Sequence, residues 1–344
     1  MAGMSHGIVA GYDGSPGGEQ ALQWAVREAR ARGTALTVCV AWAPAYLAAI
    51  SESSVDDVAR QRGEEILEHG VEYARSMLGS GAVRPLLARG SAANVLGELS
   101  GTAEMVVVGS RGRGGVAGLK LGSVAWQVAV HGHGPVVMVR GQWHVADHAP
   151  GPVAVGVDGS SASQAAIAFA FQEAALHGVP LLAVCALADA PGMLGGAREM
   201  EADFSHAMTV CEKEHPDVTV LRQVAQGAPR TALLAAAAEA QLLVVGCRGR
   251  RGVPGMNLGS VALRPCCTMR RARSASSTRR PAPAMASPPP TAEWPAPGQS
   301  RAYPPRCPGV ARYGIALRDA SAWPASPSAW SGGPGHAHLS RVHP

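Results

Sequence analysis

No apolar stretch in this chain reaches the roughly 18–20 residues that a membrane-spanning helix needs. The first ten residues hold no basic region followed by an apolar core of signal-peptide length. The seven cysteines, at 39, 185, 211, 247, 266, 267 and 307, show no paired spacing that would frame a metal site. Cys39 and Cys185 sit inside apolar runs and read as small buried thiols rather than reactive ones. These absences set the expectation of a reduced, soluble, cytoplasmic protein with no membrane partner. Enzyme signatures are missing too. There is no glycine loop closed by Lys-Ser or Lys-Thr, no local motif of a Ser-His-Asp arrangement and no metal-ligand cluster. His131 and His133 are spaced unlike a helical metal pair and are expected in a loop, and Trp24 and Trp126 are expected to pack helices.

A length of 344 residues accommodates two or three domains. Charge is distributed unevenly. From Arg264 to Pro344 there are 15 of the 26 prolines, 11 arginines, no lysine and two acids, Glu293 and Asp319. That segment carries about +9, so with +5 overall the first 263 residues carry about −4. The basic balance belongs to the tail, which argues against a specific nucleic-acid partner for the folded part.

What is present is a repeat. Gly109-Ser110-Arg111-Gly112, nine residues, then Gly122-Ser123 returns as Gly246-Cys247-Arg248-Gly249, nine residues, then Gly259-Ser260, offset by 137 positions. Each copy follows an apolar run of strand type, Met105 to Val108 or Leu242 to Val245, and its last glycine opens a helical pattern. Glycine permits close backbone approach, and the unpaired N–H groups of a helix start attract anions, so the device suits phosphate.

Around each copy the pattern alternates strand and helix. In the first unit, Gly7 to Tyr12, Leu36 to Ala41, Val83 to Ala88, Met105 to Val108 and Val136 to Arg140 read as strands. Helical periodicity covers Gly18 to Arg32, stopped by Gly33, then Ser54 to Leu78, Ala92 to Ser100 and Gly122 to His131. The second unit repeats strands at Val153 to Asp158, Leu181 to Ala186, Val218 to Val224 and Leu242 to Val245, with a helix at Gln164 to His177. Gly90-Ser91-Ala92 returns as Gly227-Ala228-Pro229. Alternation of this kind implies α/β architecture: two tandem doubly wound domains with parallel five-stranded sheets, ligands lying at the strand ends.

The expected units are residues 6–140, a linker at 141–151, residues 152–263, and a tail at 264–344. The repeat breaks near Arg264: where a fifth strand should follow, the sequence reads Arg270-Arg271-Ala272-Arg273-Ser274. The second domain is therefore expected to lack its last strand, as a shifted reading frame would leave it. The Pro-, Arg-, Ala- and Ser-rich tail is expected to be disordered. Without that strand, Val136 to Arg140 is expected to be an exposed edge through which copies dimerise.

Both halves resemble the universal stress protein family in its tandem form, through the aspartates Asp13 and Asp158 and the twice-repeated glycine spacing of its ATP-binding branch. The resemblance implies ATP, with Mg²⁺ as its accompanying ion. It places Gly109 and Gly112 under the ribose and phosphates, Gly122 and Ser123 at the phosphate end, Asp13 near the nucleoside and Val40 against adenine. The second-half equivalents are Asp158, Ala186, Gly246, Gly249, Gly259 and Ser260. Arg111, Arg113 and Lys120 in the first loop, and Arg248, Arg250 and Arg251 in the second, are either phosphate contacts or solvated loop charges. For Asp13 and Asp158 a turn role accompanies ligand contact.

The function so implied is a cytoplasmic, ATP-binding stress or dormancy regulator that is not an enzyme and acts on a protein partner. Two alternatives stand beside it. Asp13-Gly14-Ser15-Pro16-Gly17-Gly18 partly resembles the phosphate loop of adenine-nucleotide hydrolases and ligases, and a scaffold with vestigial glycine loops would bind no nucleotide. A dinucleotide oxidoreductase is disfavoured, because its glycine fingerprint belongs after the first strand.

Overall fold

Val, Ile, Leu and Cys fill the strand segments so densely that both faces must be covered, and the structure covers them. The computed structural model describes residues 6–43, 53–113, 121–140, 151–187, 194–247 and 315–319. The first half runs β1 (Ile8–Gly11), α1 (Pro16–Arg32), β2 (Leu36–Trp42), α2 (Ser53–Leu78), β3 (Val83–Arg89), α3 (Ala92–Leu99), β4 (Met105–Gly109), α4 (Ser123–His131) and β5 (Val136–Arg140). The second runs β6 (Val153–Val157), α5 (Ser161–His177), β7 (Leu181–Leu187), α6 (Leu194–Glu214), β8 (Val220–Gln226), α7 (Pro229–Glu239) and β9 (Leu242–Val245).

Strand order is β3-β2-β1-β4-β5 in one half and β8-β7-β6-β9 in the other, every neighbour parallel within its half. Each half is thus an α/β doubly wound sheet, of five and of four parallel strands. In both, order reverses beside the first strand, the point at which a doubly wound sheet can open a crevice at its strand ends. Side chains alternate between two apolar layers. Ile8, Leu36, Val38 and Val40 pack on the α1 and α2 side, while Val9, Cys39, Val106 and Val108 pack with Leu96, Ala125 and Val128 of α3 and α4. Each fully buried Leu, Ile or Val contributes about 1.5–3 kcal/mol.

Local chemistry sets the helix ends identically in the two halves. Ser15 and Ser160 cap α1 and α5 by accepting the N–H groups of Gly18 and Ser163. Gly33 and Gly178 end them in the left-handed region at φ 64° and 62°. Structural equivalence here runs at an offset of 145, Ile8 pairing with Leu36 as Val153 pairs with Leu181. The offset of 137 holds for the glycine loops, so the second half is eight residues shorter between these regions.

Two features depart from expectation. Residues Ile315–Asp319, inside the tail expected to be disordered, form a strand, β10. It lies between the halves, parallel to β5 and antiparallel to β9. The edge of β5 expected to be exposed is therefore hydrogen-bonded along its length. β10 occupies the place beside β9 where a fifth strand would lie, in the reverse direction. The remaining tail residues, and residues 141–150 of the linker, lie outside the described residues.

The halves also meet through α1 and α5. Arg32 hydrogen-bonds Glu28 of its own helix and Glu173 of the other half, and His177 Nε2 lies 2.9 Å from Glu28 Oε2. Glu28 and Glu173 are equivalent at the 145 offset, as are Arg32 and His177. The Glu173 and Glu28 carboxylates facing the ring hold the His177 pKa up at about 9 against the opposing effect of burial. Burial alone would push Glu28 up, but His177 and Arg32 bring its carboxyl below the usual range. Burial and the neighbouring Glu28 charge raise Glu173.

Candidate functional site

At the switch point of the first half, the C-terminal ends of β1 and β4 border a cavity of about 450 Å³. Its floor includes Gly11, Tyr12, Val108 and Gly109, its walls Cys39, Ala41, Ala92 and Leu96, and its mouth Arg111, Gly112, Arg113, Gly122 and Ser123. The volume lies within the range of small-ligand clefts. One side is apolar and the other carries backbone donors and arginines, a division that suits a flat base and a charged tail.

The charged end is made by α4. Gly122 is its N-cap, at φ −74° and ψ 151°, and no side chain caps the helix start. The helices α1, α3 and α5 each have a serine cap. The first-turn N–H groups of α4 thus open on the cavity, and the helix dipole adds about half a positive charge there. The Gly122 N–H donates to Ser110 O at 2.8 Å, which fixes the helix start against the glycine loop. Arg111 and Arg113 are exposed at the mouth.

Asp13 organises the other side. Its Oδ1 accepts the Ser15 N–H at 3.0 Å and the Ser15 hydroxyl at 2.5 Å, and its Oδ2 accepts the Arg113 N–H at 3.0 Å. The turn role expected of this aspartate is present, and it also ties the end of β1 to the glycine loop. In the second half Asp158 repeats the turn, accepting from the Ser160 N–H at 3.0 Å and hydroxyl at 2.6 Å.

The glycines divide by cause. A Cβ on Gly109 would sit 2.4 Å from the Gly17 carbonyl oxygen, and one on Gly246 would sit 2.8 Å from the Ala162 carbonyl. These glycines let the start of α1 or α5 press on the strand end, which is a packing reason for glycine there. A Cβ on Gly112 would meet Asp13 Oδ2 at 2.6 Å. At Gly122 a Cβ finds only ordinary contacts, from 3.4 Å outward, so backbone packing does not require glycine there.

The structure brings Asp13, Gly109, Gly112, Gly122 and Ser123 to one cavity, and corrects Val40. That side chain is 3 % exposed and packs in the core on the opposite sheet face, while its neighbours Cys39 and Ala41 line the cavity. Alternation along the strand is the cause. Ala186 is the counterpart of Ala41, not of Val40, because β7 and β2 align at the 145 offset. Sequence reasoning also missed Leu96, which packs where a Cβ on Gly11 would stand, 2.7 Å from its Cδ1. Burial pushes the Cys39 thiol up to about 12, in keeping with an inert buried cysteine. Trp24 is buried and Trp126 packs on the core, as expected of helix-packing residues. Gly249, Gly259, Ser260, Lys120, Arg248, Arg250 and Arg251 lie outside the described residues.

A tandem of doubly wound α/β units with a cavity at the switch point, faced by an uncapped helix start, defines the class: a tandem, doubly wound α/β protein with a switch-point cleft. The chain belongs to the universal stress protein family, whose model matches residues 4–140 and 150–264. Its relatives share the tandem arrangement. A universal stress protein of Mycolicibacterium smegmatis is 34 % identical over 281 residues, covering 75 % of this chain and 92 % of the relative. One of Mycobacterium tuberculosis is 37 % identical over 288 residues, covering 74 % and 90 %. In fold, the chain is similar to the crystal structure of a universal stress protein from Archaeoglobus fulgidus, with a TM-score of 0.57 and 20 % identity over 74 % of this chain and 90 % of that one. No described helix is long and apolar enough to cross a membrane.

Proposed function

We propose that this universal stress protein binds ATP in the first-half cavity and acts as a cytoplasmic regulator of a stress or dormancy response. The observation that carries the reading is the uncapped N-terminus of α4 at the cavity mouth, beside Gly112 and the Asp13-anchored loop. The first-turn amides and the exposed Arg111 and Arg113 would take the triphosphate, with Mg²⁺ as its accompanying ion. Leu96, Ala41 and Cys39 would face the base. Ser123 would meet the phosphates with its N–H and hydroxyl.

Binding, not turnover, is the activity this arrangement serves. The cavity groups hold and orient, and none of the described residues lining it is placed as an activated nucleophile. Occupancy would favour the loop arrangement that the phosphates stabilise and so change the surface offered to a protein partner. Such a shift is only as large as ATP's preference for one arrangement over the other.

Calorimetric titration with ATP and with adenosine tests the phosphate-end assignment. The reading expects ATP to bind at least tenfold more tightly than adenosine, with the difference reduced in Arg111→Ala/Arg113→Ala. Equal affinities would place the recognition elsewhere.

A further inference from the structure

We propose that the junction of the two halves is a binding site for one divalent cation of the zinc class, ligated by Glu28, Glu173 and His177. The donor atoms of these residues all lie within 4.8 Å of one another. His177 Nε2 is 2.9 Å from Glu28 Oε2 and 3.7 Å from Glu173 Oε2. Nitrogen and oxygen donors about 2.0–2.1 Å from a tetrahedral centre stand roughly 3.4 Å apart, so these two separations bracket the geometry a metal would impose. One imidazole with two carboxylates is a donor set that suits Zn²⁺.

An independent observation points the same way. Glu173 is fully buried, and its Oε2, aimed at this cluster, has no hydrogen-bond partner. A carboxylate oxygen held in the interior with only a 3.7 Å ion pair to His177 and no hydrogen bond is poorly compensated, and a cation would satisfy it. Each carboxylate gives Oε1 to Arg32 and turns Oε2 toward His177. Arg32 is thus a positioning residue that holds both carboxylates, as outer partners do at metal centres.

His177 borders an open cavity of about 250 Å³ also lined by Trp24, Arg27 and Gln241. That cavity gives the ion access and a place for water as fourth ligand. Gln241 Nε2, also buried without a partner, lines it too. Exchange is balanced: the ion enters as the imidazolium loses its Nε2 proton to solvent, one positive centre between the carboxylates replacing another. Because Glu28 belongs to one half and Glu173 and His177 to the other, the ion would lock the halves together.

The test uses the full chain stripped of metal by chelator, titrated with Zn²⁺ in a calorimeter and with Co²⁺ by visible absorption. The expected result is one saturable site per chain, a higher thermal midpoint with Zn²⁺, and at least tenfold weaker binding in His177→Gln and in Glu173→Gln. Arg32→Lys, which keeps the charge but loses the fork, should weaken binding while leaving the ion's spectrum unchanged. The proposal is overturned if no saturable site exists or if neither ligand variant alters it. A sulfur-to-cobalt charge-transfer band would also overturn it, by placing the ion on cysteine.

Discussion

The Arg113 N–H donates to Asp13 Oδ2 at 3.0 Å, joining residues one hundred positions apart across the mouth of the cavity. The same carboxylate holds the Ser15 turn that caps α1. One aspartate therefore sets both the helix start behind the cavity and the loop in front of it.

Replacing Asp13 with Ala should remove all three bonds and cost about 2 kcal/mol of stability. Asp13→Asn should cost less if its oxygen faces Ser15, but its amide would then oppose the Arg113 N–H and loosen the loop. Chemical denaturation of both variants, with ATP titration of each, checks this. The expectation is weaker ATP binding in both and a clear loss of midpoint only in the alanine variant.

The two loop glycines should fail differently. Gly109→Ala forces a methyl into the Gly17 carbonyl and should destabilise the chain by about 1–3 kcal/mol. Gly122→Val brings its Cβ only into ordinary contact with backbone, from 3.4 Å outward, and keeps an extended φ, so the fold should persist while the side chain obstructs the helix start. Thermal melts separate the two. A large loss at Gly122 with none at Gly109 would reverse the assignment of causes.

Cys39 lines the cavity with a thiol pushed up to about 12 by burial. Thiolate is the reactive form, and at pH 8 it is on the order of one part in ten thousand. Cys39 should resist iodoacetamide in the native chain at that pH and react on unfolding, as peptide mapping would show. Rapid native labelling of Cys39 would mean the cavity wall opens.

Leu317 pairs with Met138 on one side and Leu243 on the other. Leu317→Pro removes an N–H from the strand ladder and should release β10, leaving β5 and β9 as open edges. Light scattering should then show concentration-dependent association that the parent chain lacks. Identical behaviour of the two would mean that β10 does not shield these edges.

Much of this architecture is legible along the chain because strand and helix signals there are local. Met105 to Val108 and Val136 to Arg140 are apolar runs, and Gly33 stops a helix by its own conformational freedom. The glycine spacing locates the loop at the cavity mouth for the same reason. Val40 differs from expectation because a shift of one residue moves a side chain to the other face of a sheet, and a family resemblance does not fix that parity. β10 was hidden because a five-residue strand amid proline and arginine owes its form to the edges beside it, not to its own pattern. Glu28 and Arg32 read as an ordinary i,i+4 pair on a helix; only tertiary packing buries them against Glu173 and His177.

The most direct test is mass spectrometry of small molecules released from the purified full chain and from Gly122→Val. The account predicts ATP from the parent in near-stoichiometric amount and little from the variant, with the two folds equally stable. No adenine nucleotide from the parent, and no binding with ATP supplied at millimolar concentration, would contradict it.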